Sequence, residues 1–125
     1  MLQDAVPGIV LKNVPTDVAS TDYQLTIPQV GKGYTVRRVT VYDAQGDSSL
    51  ATLSVRGGAG GTGTTIVADD VLMTHVTSDI VSDRIVAATG ITPIVDDPIL
   101  YVRVGMASGV AGSKVSVIVV IEPLP

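Results

Sequence analysis

Apolar and polar positions alternate along most of the chain, most clearly near its end. From Pro98 to Met106, Leu100, Val102, Val104 and Met106 alternate with Tyr101 and Arg103, the two-residue period that gives a strand one dry and one wetter face. A Gly-rich turn follows. Val115, Val117, Val119 and Ile121 then fill one face of a closing strand whose other face carries Ile118 and Val120. A strand apolar on both faces needs cover on each, from a second layer of its own domain or from another subunit. Ile118 and Val120 are therefore candidate subunit-interface residues.

Upstream, Tyr23, Leu25 and Ile27 alternate with Gln24 and Thr26 until Pro28, which lacks the N–H that would continue a ladder. Gly31-Lys32-Gly33 turns the chain into a strand from Tyr34 to Tyr42. Tyr34 and Val36 share one parity there and Val39 and Val41 the other, so a β-bulge is predicted at Arg37-Arg38. Residues 43–49 are turn-like. Ala51, Leu53 and Val55 mark one face of a strand from Leu50 to Arg56, and Thr64 to Val67 returns as a strand after the glycine loop Gly57–Gly63. Leu72, Val76 and Ile80 fall at helical spacing behind Asp69-Asp70, so the region around 69–82 is either a short helix or an irregular crossing. Ile85 to Ala88 is a short strand and Gly90 to Pro98 a loop. The first 20 residues, with Pro7, Gly8 and Pro15, have no sustained period and are expected to form an N-terminal arm, leaving 21–125 as a single domain. Seven or eight strands at turn spacings of about 8–12 residues predict an all-β, antiparallel β-sandwich or jelly roll.

Composition agrees with that class. Of 125 residues, 46% are hydrophobic, but the only aromatics are four Tyr, so the core must be aliphatic. Valine and isoleucine suit pleated surfaces better than helices. The absence of cysteine excludes disulfides, thiolate metal sites and thiol catalysis. The N-terminus shows neither the basic nor the apolar region of a signal peptide, and the longest apolar run, Val117–Ile121, is far short of the roughly 20 residues of a membrane helix. Neither secretion nor a membrane is expected. A net charge of −4 with scattered cations gives no basic stripe for phosphates, so nucleic acid is not an expected partner.

Little catalytic chemistry is legible. Gly58-Ala59-Gly60-Gly61-Thr62-Gly63 matches G-x-G-x-x-G, but a strand-like Thr-Thr-Ile-Val follows it where a dinucleotide fold requires a helix, which favours a flexible hairpin loop. His75 is the only histidine. If its segment were a strand, Met73, His75 and Thr77 would share a face, and a structural role is the ordinary one; in a trimer, three copies could also meet on the axis. Asp69-Asp70, Asp96-Asp97 and Asp43 with Asp47 lack the pattern of a calcium loop or of two carboxyls facing one substrate, so neither metal nor cofactor is expected. Arg37 and Arg38 are candidates for contact with an acidic partner patch. Val6, Ile9, Val10 and Leu11 join them as candidate contacts because the arm is apolar but too short and proline-broken to form its own layer.

The stretch Leu50–Asp70, with Ala-Thr-Leu-Ser-Val-Arg-Gly-Gly-Ala-Gly-Gly-Thr-Gly-Thr-Thr-Ile-Val inside it, and then Pro98–Gly112 with the closing strand, resemble small all-β virion proteins of tailed bacteriophages, in particular capsid decoration or cement proteins. The likeness covers most of the chain after Tyr23 and lies in strand and loop order. It implies a sandwich or jelly-roll module, commonly a homotrimer, that seats on the major capsid protein at the capsid surface and bridges neighbouring capsomers. It also implies synthesis in the host cytoplasm and no enzyme activity. On this resemblance the apolar arm residues and the Arg pair are candidate capsid contacts. Two alternatives stand beside it: a head-fibre, tail or neck component with a receptor-facing loop, and a carbohydrate- or ligand-binding sandwich, which the scarcity of aromatic stacking surfaces disfavours.

Overall fold

The computed structural model describes residues 8–28, 33–86 and 99–124. Expectations about Val6, Asp96-Asp97 and the loop at 90–98 lie outside them. The described residues form eight strands: β1 (Gly8–Pro15), β2 (Thr21–Thr26), β3 (Tyr34–Gln45), β4 (Thr52–Arg56), β5 (Thr65–Val71), β6 (Ser82–Arg84), β7 (Ile99–Val104) and β8 (Lys114–Pro123). They make two four-stranded sheets in the orders β1-β8-β3-β6 and β2-β7-β4-β5. The pairs β4·β5, β3·β6, β2·β7 and β1·β8 are all antiparallel neighbours, so the chain is one long hairpin folded at the β4–β5 turn and then rolled until β8 meets β3 and β7 meets β4. That is jelly-roll winding, and every strand runs opposite to its neighbours.

The core lies between the sheets and is aliphatic apart from the buried Tyr34. Val115, Val117, Val119 and Ile121 of β8 face Leu100, Val102 and Val104 of β7, with Leu53 and Val55 of β4, and all of these are fully buried. Met106 does not continue the dry face of β7. The chain leaves the sheet at Gly105, whose N–H donates to Thr52 O (3.1 Å), and Met106 is 61% exposed.

The bulge in β3 is where the parity switch placed it. Val36 stands opposite Ile121 and Arg38 opposite Val120, so Arg37 is the extra residue. One inserted residue turns Tyr34 and Val36 inward before it and Val39 and Val41 inward after it. A second irregularity between Tyr42 and Gln45, with Asp43 at φ 53°, brings Ala44 back to the core.

Two expectations need correction. Residues 8–15 are not an arm: β1 pairs with β8 along its length, and its Val14 is buried. Proline and mixed period hid this strand because it lies at the sheet edge, where one side of the ladder needs no partner. Around 69–82 the chain takes the irregular crossing, one of the two alternatives, and not the helix. Asp69 and Asp70 belong to β5, and Leu72 is buried while Val76 is exposed, so the helically spaced residues share no face. Short turns connect them instead, with His75 N–H donating to Leu72 O (2.9 Å) and Ile80 N–H to Thr77 O (3.3 Å). The other correction concerns the strand expected over 85–88: β6 is Ser82–Arg84 and Ile85 projects into solvent, while residues 87 and 88 lie outside the described residues.

Deleting Arg37 removes the bulge and forces one inward pair, Tyr34 with Val36 or Val39 with Val41, to the outer face. At about 1.5–3 kcal/mol for each side chain, the expected loss is about 3–6 kcal/mol in urea denaturation. Arg37→Ala removes only an exposed ion pair with Glu122 (2.8 Å) and is expected to cost under about 1 kcal/mol. Equal stability of the two variants would refute the role given to the bulge.

Candidate functional site

Four connections gather at one end of the sandwich because strands β1, β3, β5 and β7 all finish there: residues 16–20, 46–51, 72–81 and 105–113. Their backbones are tied in sequence across the end. Ser20 N–H donates to Gly105 O (3.2 Å), Thr52 N–H to Met106 O (3.1 Å), Leu72 N–H to Ala51 O (2.9 Å) and Ser48 N–H to His75 O (2.9 Å). Beneath them Thr16, Ser48, Ser108 and Ser113 are buried. Thr16 Oγ1 shares hydrogen bonds with Ser48 Oγ (2.7 Å) and Ser113 Oγ (2.7 Å), and Ser113 Oγ shares one with Ser108 Oγ (2.5 Å). Each hydroxyl can donate and accept, so the chain Ser48–Thr16–Ser113–Ser108 gives every member a partner away from water and locks three loops together. Nothing in the spacing of these residues signals the network, since Ser and Thr in loops are ordinary turn formers.

Above this frame the same loops expose Val18, Leu50, Met73, Val76, Met106 and Val110. Their charged residues are Asp17, Asp47 and Asp79, with no Lys or Arg. Asp17 Oδ2 accepts from Gly112 N–H (2.8 Å), and Asp47 Oδ1 from Ser49 N–H (2.9 Å). Hydrogen bonds from the Ser49 side chain and backbone hold the Asp47 carboxyl below its ordinary pKa. Tyr23 is raised by burial and by the nearby charge of Asp17.

The outer face of the β1-β8-β3-β6 sheet carries the proposed interface pair. Ile118 lies between Val10 and Thr40, and Val120 between Gly8 and Arg38. Ile118 and Val120 are half-buried and Val10 is exposed. The sheet thus covers one face of β8 with core and leaves the other partly open. Ile9 and Leu11 pack against the core, on the opposite side of β1 from Val10, so the candidate contact set divides between two faces. Arg37 pairs with Glu122, and Arg38 lies 4.0 Å from Asp83.

The other sheet's outer face is polar. Asp22 Oδ2 accepts from Arg103 Nη1 (3.1 Å) and from Gly60 N–H (2.8 Å), so the glycine loop folds back over β7 and β2 rather than projecting freely. A Cβ on Gly63 would lie 2.6 Å from Gly58 N, and its φ of 75° favours glycine independently. The glycines therefore serve a tight turn, and the backbone N–H of Gly60 already holds a carboxylate of the protein itself.

His75 is fully buried, with Nε2 2.6 Å from Ser82 Oγ. Arg84 Nη2 also donates to Ser82 Oγ, and Arg84 Nη1 donates to Asp70 Oδ2 (2.8 Å), bridging β6 to β5 across the open side of the sandwich. Met73 and Thr77 are exposed and do not share the histidine's environment. Full burial inside its own subunit also rules out three copies of His75 meeting on a symmetry axis. Burial and then the Arg84 charge depress its pKa. A cation beside a buried imidazole weakens it as a base, and its Nδ1 has no partner among the described residues, so Ser82 and His75 lack the orienting acceptor of a nucleophile–base set. No cluster of three or more His, Cys, Asp or Glu side chains suited to a metal occurs among the described residues. No helix among them is long and apolar enough to cross a membrane. No protein-family model, curated protein or solved structure matches the chain.

Thr16→Val strips the shared partner from Ser48 and Ser113 and is expected to cost about 1–3 kcal/mol, read as a lowered Tm. Ser54→Ala is the control: Ser54 Oγ is buried without a hydrogen-bond partner among the described residues, so its loss is expected to be neutral or stabilising. A neutral Thr16→Val would show that the network does not hold the loops.

Acid should destabilise the fold through His75. Its folded pKa lies below the ordinary 6.5, so the unfolded chain binds more protons between the two values. The neutral-ring stability is complete above about pH 6.5 and falls as pH drops below it toward the depressed folded value, before most carboxylates titrate. Urea midpoints between pH 7 and 5 should therefore decline for the native chain and stay flatter for His75→Gln; parallel slopes would contradict this.

Proposed function

We infer that this chain is a structural attachment protein of a tailed-phage virion, seated on the outer surface of the capsid and reinforcing contacts between neighbouring capsomers. What carries the reading is the loop end: exposed apolar side chains and carboxylates on loops fixed by a hydrogen-bonded frame, which suits a protein that acts by docking. The resemblance to capsid decoration proteins supports it, as does a jelly-roll module whose polar features are absorbed in internal pairs. The open outer face around Val10, Ile118 and Val120 supports self-association, with a trimer the state expected from the resemblance.

The mechanism is mechanical. Each bound copy adds contact area across a seam, and many copies acting together raise the work needed to separate capsomers. Quantitative mass spectrometry of purified virions against the major capsid protein tests it. Hundreds of copies in fixed ratio to that protein are expected. About a dozen would move the chain to the tail, neck or a head fibre, and absence would overturn a virion role.

A further inference from the structure

We propose that the loop end formed by residues 16–20, 46–51, 72–81 and 105–113 is the docking face, and that it fits a protein surface presenting an apolar patch bordered by Lys and Arg. This rests on the attachment reading above and adds which face makes the contact and what chemistry meets it.

Three observations converge on this end. Leu50, Met73 and Met106 come from three different loops and are 66%, 75% and 61% exposed, which are among the largest apolar exposures in the described residues. Side chains of this size left in water are a liability unless something covers them, and methionine adapts well to a partner's contours. The second observation is rigidity. The loops are joined by backbone hydrogen bonds, with Leu72 N–H on Ala51 O and Thr52 N–H on Met106 O, and underpinned by the Ser48–Thr16–Ser113–Ser108 hydroxyls. Little conformational freedom is then lost on docking.

Charge selects the occupant. Asp17, Asp47 and Asp79 stand on these loops with no cation, and the nearest one in the chain, Lys114, opens β8 beyond them. Two copies meeting end to end would bring only like charges together, so a second copy of the chain is disfavoured here. An anionic membrane is disfavoured for the same reason. A basic-bordered protein patch gives both an apolar contact and complementary charge. The outer face carrying Val10, Ile118 and Val120 is left for contacts between copies.

The test is binding of the full chain to purified heads of the source phage that lack it, followed by sedimentation. Leu50→Ser/Met106→Ser changes only exposed side chains; it is expected to keep the Tm and oligomeric state of the native chain while weakening head binding at least tenfold. Asp47→Asn/Asp79→Asn should weaken binding at low salt and flatten its salt dependence. Unchanged binding by Leu50→Ser/Met106→Ser overturns the proposed face. Loss of head binding by Val10→Ser/Ile118→Ser with the loop variant intact also overturns it, placing the contact on the sheet. If the native chain itself fails to bind heads, the attachment reading fails. Binding of the native chain to phosphatidylcholine vesicles, abolished by the loop variant, would overturn the protein partner in favour of lipid.

Discussion

β8 must be held between β1 and β3, and the remainder of the molecule depends on that placement. Its inward residues Val115, Val117, Val119 and Ile121 are fully buried, and it hydrogen-bonds along both edges. The first and last strands of the chain are thereby paired, with Gly8 opposite Val120. Contacts this distant in sequence require most of the loop-closure entropy to be overcome before they form, so a rolled hairpin of this kind belongs among the slower folding topologies. Until β8 is in place, β1 has no neighbour and the core has no floor.

The same winding decides how the open sides are managed. Where β6 and β5 form the sheet edges, Arg84 spans from one sheet to the Asp70 carboxylate of the other, and its guanidinium also reaches Ser82 beside the buried His75. β6 is only three residues long, and a short, charged edge offers little template for pairing with another chain. Edge protection and burial of the only histidine are therefore one arrangement, and it uses polar groups that on paper resemble catalytic parts.

The surfaces divide by chemistry. The β2-β7-β4-β5 face is polar, with the Asp22–Arg103 pair covered by the glycine loop. The opposite outer face mixes half-buried Ile118 and Val120 with the ion pairs of Arg37 and Arg38. The loop end combines exposed apolar side chains with carboxylates on a fixed frame.

Local periodicity was enough to reveal the sandwich class, the inward faces of β4, β7 and β8, and the bulge at Arg37, because alternation records which side chains a pleated strand must bury. It was insufficient where burial is partial or the backbone irregular. β1, an edge strand broken by Pro15 and by a register shift between Leu11 and Val14, looked like an arm. Leu72, Val76 and Ile80 imitated a helix although the chain there is turns. The glycine string imitated a phosphate loop although its N–H meets Asp22. Strand order, the hydroxyl network of Thr16, Ser48, Ser108 and Ser113, and the gathering of Leu50, Met73 and Met106 at one end came only from the tertiary structure. The loops that carry those residues lie tens of positions apart in the chain, and only the rolling of the hairpin brings them together.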